Sequence, residues 1–308
     1  MSTPADRSQL SRRHLISGAG ALSGLVLAGG CGNGAEGFAG NGKDGSRRVE
    51  IQVRDRPVGV FLPRPRATKG MPLIVFLHPG NHNMLSISKI IGLFSFDSEF
   101  PAVVAVPNGQ SWFFNRDTCH WNSGHTGSKD GNDITHVDAV LTNVIKKYNL
   151  DSTRVFLMGT SNGGMMAYRA MTELSSKVKA FAVHAATVGG RASADAPLIL
   201  NDPNKHGAQP TSLLHTHGEL DGNVRKEGGP TKKDGGTRID ISMRESVGYW
   251  IKLNGIKKPS DQSFQVGTVW KAGGGKNGTR VWVKIVTGGG HGWEPSNMDL
   301  ALEFFGLR

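Results

Sequence analysis

The stretch that decides the fold is Arg154-Val-Phe-Leu-Met-Gly-Thr-Ser-Asn-Gly-Gly-Met-Met166. Val155 to Met158 are continuously apolar, the pattern of a parallel strand buried on both faces. The chain then turns through Gly159-Thr160-Ser161-Asn162-Gly163 into Gly164-Met165-Met166-Ala167-Tyr168, which reads as a helix start. Strand, sharp turn and helix together fit a G-x-S-x-G elbow. Its glycines let backbones approach closely, its serine hydroxyl stands at the strand tip, and the next amide is placed to face an oxyanion. A match this short arises often by chance in a chain with 43 glycines, so the context has to carry it. Here it follows an apolar strand, opens a helix, and precedes an acid and a histidine at expected strand ends.

Upstream, Val49 to Val53 and Val58 to Leu62 read as leading antiparallel strands around Arg56-Pro57. A second buried run from Pro72 to Leu77 ends in His78-Pro79-Gly80-Asn81-His82-Asn83, the kind of loop that supplies a second oxyanion amide. Helical spacing covers Leu85 to Phe94, and a strand follows at Ala102 to Val106. Ser111 to Asp130 has no period but holds Trp112, Phe113, Phe114 and Trp121, which we read equally as a substrate wall or as a hydrophobic cluster under a long loop. Cys119, in the same segment, reads as a packed core thiol, since a cysteine nucleophile would need an elbow of its own.

Asp133 to Tyr148 has apolar residues at helical spacing, an acid near its start and Lys146-Lys147 near its end, so it is the expected crossover helix into the elbow strand. Downstream, strands are expected at Ala180 to Val188, Ser212 to His217 and Arg280 to Val286, with a loop from Ala192 to Gln209. Helices are expected at Ile239 to Leu253 and Asn297 to Phe305. Strands alternating with helices, and no internal repeat, predict one α/β domain with a mostly parallel, doubly wound sheet.

In such a sheet the order serine, acid, histidine places the partners on loops at the carboxyl ends of later strands. Asp221, just past His215-Thr216-His217-Gly218, is the expected acid, ahead of Glu219 and Asp240. His184, His206, His215 and His217 all follow Ser161, but only His291 lies after the acid, and Gly288-Gly289-Gly290 before it allow a tight fold. A rival arrangement sets His215, His217, Glu219 and Asp221 on one strand face as metal ligands; Gly218 argues against an unbroken strand, and we expect neither metal nor cofactor.

The 308 residues suffice for one large core. The net charge of +11 is scattered in short groups such as Lys232-Lys233, which predicts a solvated surface rather than a nucleic-acid partner. Ser11-Arg12-Arg13-His14-Leu15-Ile16 followed by a short Gly- and Ala-rich apolar segment has the form of a twin-arginine export signal. Leu27-Ala28-Gly29-Gly30-Cys31 resembles a bacterial lipoprotein box, with Leu27 one position further from the cysteine than usual. We therefore expect residues 1–31 to be an export signal ending at a lipidated Cys31, 32–47 a flexible Gly-rich tether, and 48–308 the catalytic domain, exported and either free or anchored by lipid. The alternative is ordinary cleavage nearby and free secretion, in which case Cys31 and Cys119 can pair.

The elbow, with His217-Gly218-x-x-Asp221, Ser246-Val247-x-Tyr249-Trp250-x-x-Leu253-Asn254-Gly255 and Gly288-Gly289-Gly290-His291-x-Trp293, resembles the family of secreted polyhydroxybutyrate depolymerases, feruloyl esterases and acetylxylan esterase-like enzymes. The resemblance runs over about residues 56–305 and implies an α/β-hydrolase fold and a serine carboxylic ester hydrolase with nucleophile Ser161, acid Asp221 and base His291. Where the family has His-Gly this chain has His78-Pro79, and proline has no amide to give; the oxyanion donors become Asn162 and Gly80. Where the family has a cysteine after Leu-Asn-Gly, Ile256 stands here. Trp112, Trp121 and Trp293 are the expected substrate-binding aromatics. The alternatives are a serine peptidase on the same fold and a catalytically weak, surface-anchored binding protein.

Overall fold

A computed structural model of the chain describes residues 38–112, 115–127, 132–231, 237–257 and 263–308. Its first strands are short β1 (Gly40–Asn41), β2 (Arg47–Val53) and β3 (Arg56–Leu62), joined antiparallel. β4 (Leu73–Leu77) leads to helix α1 (Met84–Ile90), and β5 (Val103–Pro107) to a hairpin of β6 (Gln110–Trp112) and β7 (Asn115–His120). Helix α2 (Asp133–Tyr148) crosses to β8 (Val155–Thr160), the elbow strand, and α3 (Asn162–Leu174) returns to β9 (Ala180–His184). β10 (Gly189–Arg191), β11 (Ile199–Leu200), β13 (Gly229–Pro230) and β14 (Ile239–Asp240) form a small antiparallel sheet around β12 (Ser212–Gly218) in sequence. Helix α4 (Met243–Asn254), β15 (Val269–Ala272), β16 (Val281–Val286) and α5 (Pro295–Phe305) complete the chain.

Among the described residues the main sheet has ten strands in the order β1-β2-β3-β5-β4-β8-β9-β12-β16-β15. From β5 to β16 neighbours pair in parallel, and antiparallel pairs close both edges. The central strands are apolar throughout because both faces are covered. In β4, Leu73, Val75 and Leu77 join the core under α2, α3 and α4, while Ile74 and Phe76 join the one under α1 and α5. This is the expected doubly wound sheet, and its parallel strands all end on the side where the elbow turns.

The structure differs from the sequence reading in several places. The folded part begins before residue 48: Phe38 is buried and its ring fills the space above Gly59, where a methyl would stand 2.7 Å from it, so residues 38–47 are not a loose tether. Ile239 and Asp240 form a strand, and the helix starts only after Ser242, whose hydroxyl accepts the Glu245 amide as an N-cap. The expected loop at 192–209 contains β11, the aperiodic aromatic segment holds most of the β6–β7 hairpin, and β15 has no counterpart among the expected strands. These strands are two to six residues long, too short to display a period.

Candidate active site

At the end of β8 the elbow glycines are there for want of room. A methyl on Gly163 would lie 2.2 Å from the Leu77 carbonyl oxygen, and one on Gly159 would lie 2.3 Å from the Gly163 oxygen. Side chains at either position would push α3 away from β4 and β8. Between them Ser161 adopts φ 52° and ψ −124°, a conformation that costs a non-glycine residue on the order of 1–3 kcal/mol. Two hydrogen bonds hold it there, from the Ser161 amide to the His184 carbonyl (2.9 Å) and from the Met165 amide to the Ser161 carbonyl (2.9 Å).

The structure brings Ser161, His291 and Asp221 together. Ser161 Oγ and His291 Nε2 are 2.8 Å apart, and His291 Nδ1 is 2.8 Å from Asp221 Oδ2. The carboxylate accepts, so Nδ1 carries the proton and Nε2 is left to accept from the serine hydroxyl. Burial raises the Asp221 carboxyl, but the His291 hydrogen bond and charge, the Val224 amide and His217 outweigh it and hold the acid below its ordinary range. Asp221 Oδ1 accepts the amides of Asn223 (2.8 Å) and Val224 (3.0 Å).

The acid turn and the histidine loop are laced together. Glu219 accepts the Gly288 amide (2.8 Å), and the Leu220 amide donates to the Gly289 carbonyl (2.8 Å). Glu219 and Asp240, the other acids weighed, are thus engaged elsewhere, the latter with Arg238 at 3.0 and 3.1 Å. His184 Nε2 donates to the Gly292 carbonyl (2.9 Å) while Nδ1 takes the Thr216 hydroxyl (2.9 Å), so this ring ties β9 to the residue after His291. Burial pushes its pKa down to about 4, which keeps it neutral.

Asn162 is the first residue of α3, where backbone amides have no intrahelical acceptor. Facing it is Gly80, on which a methyl would stand 3.5 Å from Asn162 Cβ. The preceding carbonyl, Pro79 O, accepts from His78 Nδ1 at 2.8 Å, and His78 Nε2 accepts the Gly109 amide at 2.9 Å. In a trans peptide the N–H points opposite to the C=O, so clamping Pro79 O onto the buried His78 ring turns the Gly80 N–H the other way. Burial pushes the His78 pKa down to about 3, so the clamp stays neutral.

Gly80, Ser161, Asn162 and His291 line a cavity of about 660 Å³. Its apolar side includes Met165, Pro197, Ile199 and Val224, and its polar side Asn81, His125, Thr126 and Arg238. The polar wall hangs on the Asn162 side chain, which accepts the Trp121 amide (2.7 Å) and donates to the Trp121 carbonyl (2.9 Å) and Thr126 hydroxyl (2.9 Å). Asp133 takes the Asn122 amide (2.7 Å) and pairs with Arg56, and Arg169 donates to the Asn122 carbonyl (2.6 Å). None of these supports is visible in the sequence, because their partners lie eleven or more residues apart.

The aromatic residues are corrected. Trp121 has no exposed surface; its Nε1 donates to the His78 carbonyl (3.0 Å) and its ring packs on His78, so it is core beneath the wall. Trp293 sets its ring against Phe76 (5.1 Å) and His184 (5.8 Å) and is not among the cavity-lining residues. The Trp112 side chain and Cys31 lie outside the described residues. Cys119 is not a thiol: it is buried and disulfide-bonded, and the sequence holds one other cysteine, Cys31. Of the alternating histidines, His215 and His217 are bonded to each other, to Tyr168 and to Val224.

The sheet order, the elbow and the strand-end placement of acid and histidine define an α/β-hydrolase fold. The family model described as esterase PHB depolymerase matches residues 57–221, more than half of the sequence, and the chain belongs to that family. An acetylxylan esterase of Coprinopsis cinerea is 26% identical over 273 residues, covering 81% of this chain and 70% of that protein. A bifunctional acetylxylan esterase/xylanase of Neocallimastix patriciarum is 32% identical over 93 residues, 29% of this chain; the match spans only 12% of that relative. Among solved structures, an acetyl xylan esterase from Aspergillus awamori superposes with a TM-score of 0.56 at 16% identity, over 82% of this chain and 94% of that one, which shows the shared fold.

Proposed function

We propose that the protein is an exported serine carboxylic ester hydrolase that works through an acyl-enzyme. The observation that carries this reading is the unbroken relay from Asp221 through His291 to Ser161 at the wall of the cavity. Ser161 Oγ attacks the ester carbonyl as His291 Nε2 takes its proton; the tetrahedral intermediate collapses, and His291 returns the proton to the leaving alcohol. Water, activated by the same nitrogen, then attacks the acyl-enzyme and releases the acid. Asp221 fixes the imidazole tautomer and balances its charge, while the Asn162 and Gly80 amides receive the oxyanion.

Family membership makes polyhydroxybutyrate-type, feruloyl and acetyl-polysaccharide esters the substrates to compare. Acetylated xylan comes first, because the relatives named above are acetylxylan esterases. Hydrolysis of p-nitrophenyl acetate by the parent and by Ser161→Ala tests the reaction, and a panel of acetylated xylan, methyl ferulate and short polyhydroxybutyrate tests the substrate. A parent that cleaves none of these esters, or a Ser161→Ala protein that cleaves them as the parent does, overturns the reading.

Export is supported by the twin-arginine pattern at Arg12-Arg13 and by the disulfide at Cys119, a bond that persists in oxidising compartments. A Cys31 sulfur joined to Cys119 would be closed to a lipid thioether. Pairing and lipidation are therefore exclusive fates, and the bonded state of Cys119 supports pairing. Intact mass with and without reductant, combined with detergent partitioning of the parent and Cys31→Ser, distinguishes them: a hydrophobic mass addition on Cys31 sinks the pairing.

A further inference from the structure

Behind the acid turn lies a run of buried side chains that the reaction above does not use. The Tyr168 hydroxyl, on α3, is 2.7 Å from His215 Nδ1; His215 Nε2 is 3.0 Å from His217 Nδ1; His217 Nε2 is 2.7 Å from the Val224 carbonyl. All three side-chain residues are wholly buried, and the two imidazoles lie parallel, 2° apart in plane. The direction of every bond follows from its far end. The Val224 carbonyl only accepts, so His217 Nε2 carries a proton. Burial lowers the pKa of both rings, so each is neutral with one proton; His217 Nδ1 is bare and accepts from His215 Nε2–H. His215 Nδ1 is then bare as well, and the Tyr168 hydroxyl donates to it. Burial also raises the phenol pKa, so that hydroxyl keeps its proton.

The last N–H of this run is bonded to the Val224 carbonyl and stands beside the catalytic acid. His217 Nε2 is 3.6 Å from Asp221 Oδ2, the oxygen that accepts the His291 Nδ1–H bond. Val224, whose carbonyl it holds, gives its own amide to Asp221 Oδ1 and lines the cavity. One residue, Val224, is thus pinned through the peptide on each side of it, between the sheet and the catalytic acid.

We propose that Tyr168, His215 and His217 form a one-way hydrogen-bond chain of positioning residues, running from the elbow helix through β12, that fixes the Asp221–Val224 turn and keeps its carboxylate ionised beside His291. The proposal rests on the triad reading for its effect on turnover, but the direction of the chain is independent of it. The charged and titratable groups that act on this place are Asp221 itself, His291 from the loop after β16, His184 from β9 and Glu227 beyond the turn.

The direct test is the tautomer. In ¹⁵N-histidine-labelled full-length protein, resonances assigned by single substitutions should show both His215 and His217 as the neutral Nε2–H form at pH 7. A Nδ1–H tautomer or a charged ring in either residue at that pH overturns the chain, whatever the protein hydrolyses. The kinetic test uses Tyr168→Phe, which keeps the packing, His217→Leu, which removes the donor, and His217→Gln, whose amide both accepts and donates. His217→Leu should lower kcat by about tenfold with KM within about twofold, the effect of one buried hydrogen bond expressed in the transition state. Losing the N–H dipole that stands 3.6 Å from Oδ2 makes the carboxylate a stronger partner for charged His291, so the acid limb of kcat/KM should move up by roughly half a pH unit. Tyr168→Phe should shift both in the same direction by less, and His217→Gln should restore the parent profile. Tyr168→Phe and His217→Leu that match the parent, or that raise KM while the limb stays fixed, reduce the chain to packing. If instead Ser161→Ala retains turnover, the triad reading fails and the tautomer result still stands.

Discussion

The elbow and the polar wall of the cavity face each other across a few ångströms, yet they are built on different logic. The elbow is local: Gly159, Ser161 and Gly163 are dictated by the backbone distances of one turn, and five consecutive residues carry the requirement. The wall at 121–127 is assembled at a distance, by Asn162, Asp133, Arg169 and the buried ring of His78 under Trp121. A turn that demands glycine leaves a mark on the sequence; a loop held by side chains 10 to 50 positions away leaves none that a period or spacing can reveal. The difference teaches where chemistry can be read directly and where selectivity hides.

The sharpest way to break this contrast is at the elbow itself. Ser161→Ala and His291→Ala should each lower kcat/KM on the order of 10⁴-fold while the folded domain persists, since neither side chain supports the core. Retention of more than about a tenth of parental turnover by either would detach the elbow from the chemistry. One level down stands Gly80→Pro, which deletes the amide opposite Asn162. A lost oxyanion donor costs about 10²- to 10³-fold in kcat, with KM for a small ester little changed. A near-parental kcat would mean that the Gly80 amide faces something other than the reacting oxygen.

Asn162 belongs to both regions, its backbone to the elbow and its side chain to the wall. Asn162→Ala keeps the amide but strips the Trp121 backbone of its partners, and each buried unsatisfied group costs about 1–3 kcal/mol. The expected result is a lower urea midpoint and a raised KM for bulky esters, with kcat on p-nitrophenyl acetate held within about tenfold. A loss confined to kcat would erase the distinction between the two regions.

The wall also rests on rings that acid attacks. Burial lowers the pKa of His78 and His136 to about 3 each, and both pack against Trp121. In the unfolded chain a histidine titrates near 6.5, so below that pH the unfolded state takes up protons that the folded state refuses. Stability is therefore complete above about 6.5 and falls as pH drops toward the folded values, by ~2 kcal/mol per such ring at pH 5. His136→Phe should flatten the decline between pH 7 and 5 by about that amount, measured by urea unfolding. An unchanged slope would show that His136 takes up its proton without unfolding.

How much was legible follows the same division. The parallel centre of the sheet is legible because β4, β5, β8 and β9 are apolar on both faces, and the α2 stripe is long enough to count. Ser161, Asp221 and His291 could be named from chain order and strand ends. An aromatic in a polar loop looks exposed in the sequence, yet Trp121 finds its acceptor on His78, and Trp293 finds its contacts on Phe76 and His184. The small sheet of β10, β11, β13 and β14 has strands of two or three residues and left no pattern, although Ile199, Arg238 and Ala192 bring that part of the chain into the cavity wall.

The smallest effect is expected where sequence and structure meet most closely, at Pro79. Relatives that place glycine after the histidine have an amide there, and this chain has none. If the missing amide were the oxyanion donor, the hole would be half built and Pro79→Gly would restore the 10²- to 10³-fold that a donor contributes. The geometry argues otherwise. His78 Nδ1 holds the Pro79 carbonyl at 2.8 Å, and the planar peptide turns the next N–H, that of Gly80, in the opposite direction. Proline then stiffens a turn whose useful amide belongs to its neighbour, and its ring fixes the φ that glycine would leave free. Pro79→Gly should consequently change kcat by less than about tenfold and downward, because the added freedom loosens the clamp without adding a donor. The accompanying loss of stability should be about 0.5–1 kcal/mol, from the greater entropy of the unfolded chain. A hundredfold acceleration would place the donor at residue 79 and make the natural protein a weak esterase that one substitution completes.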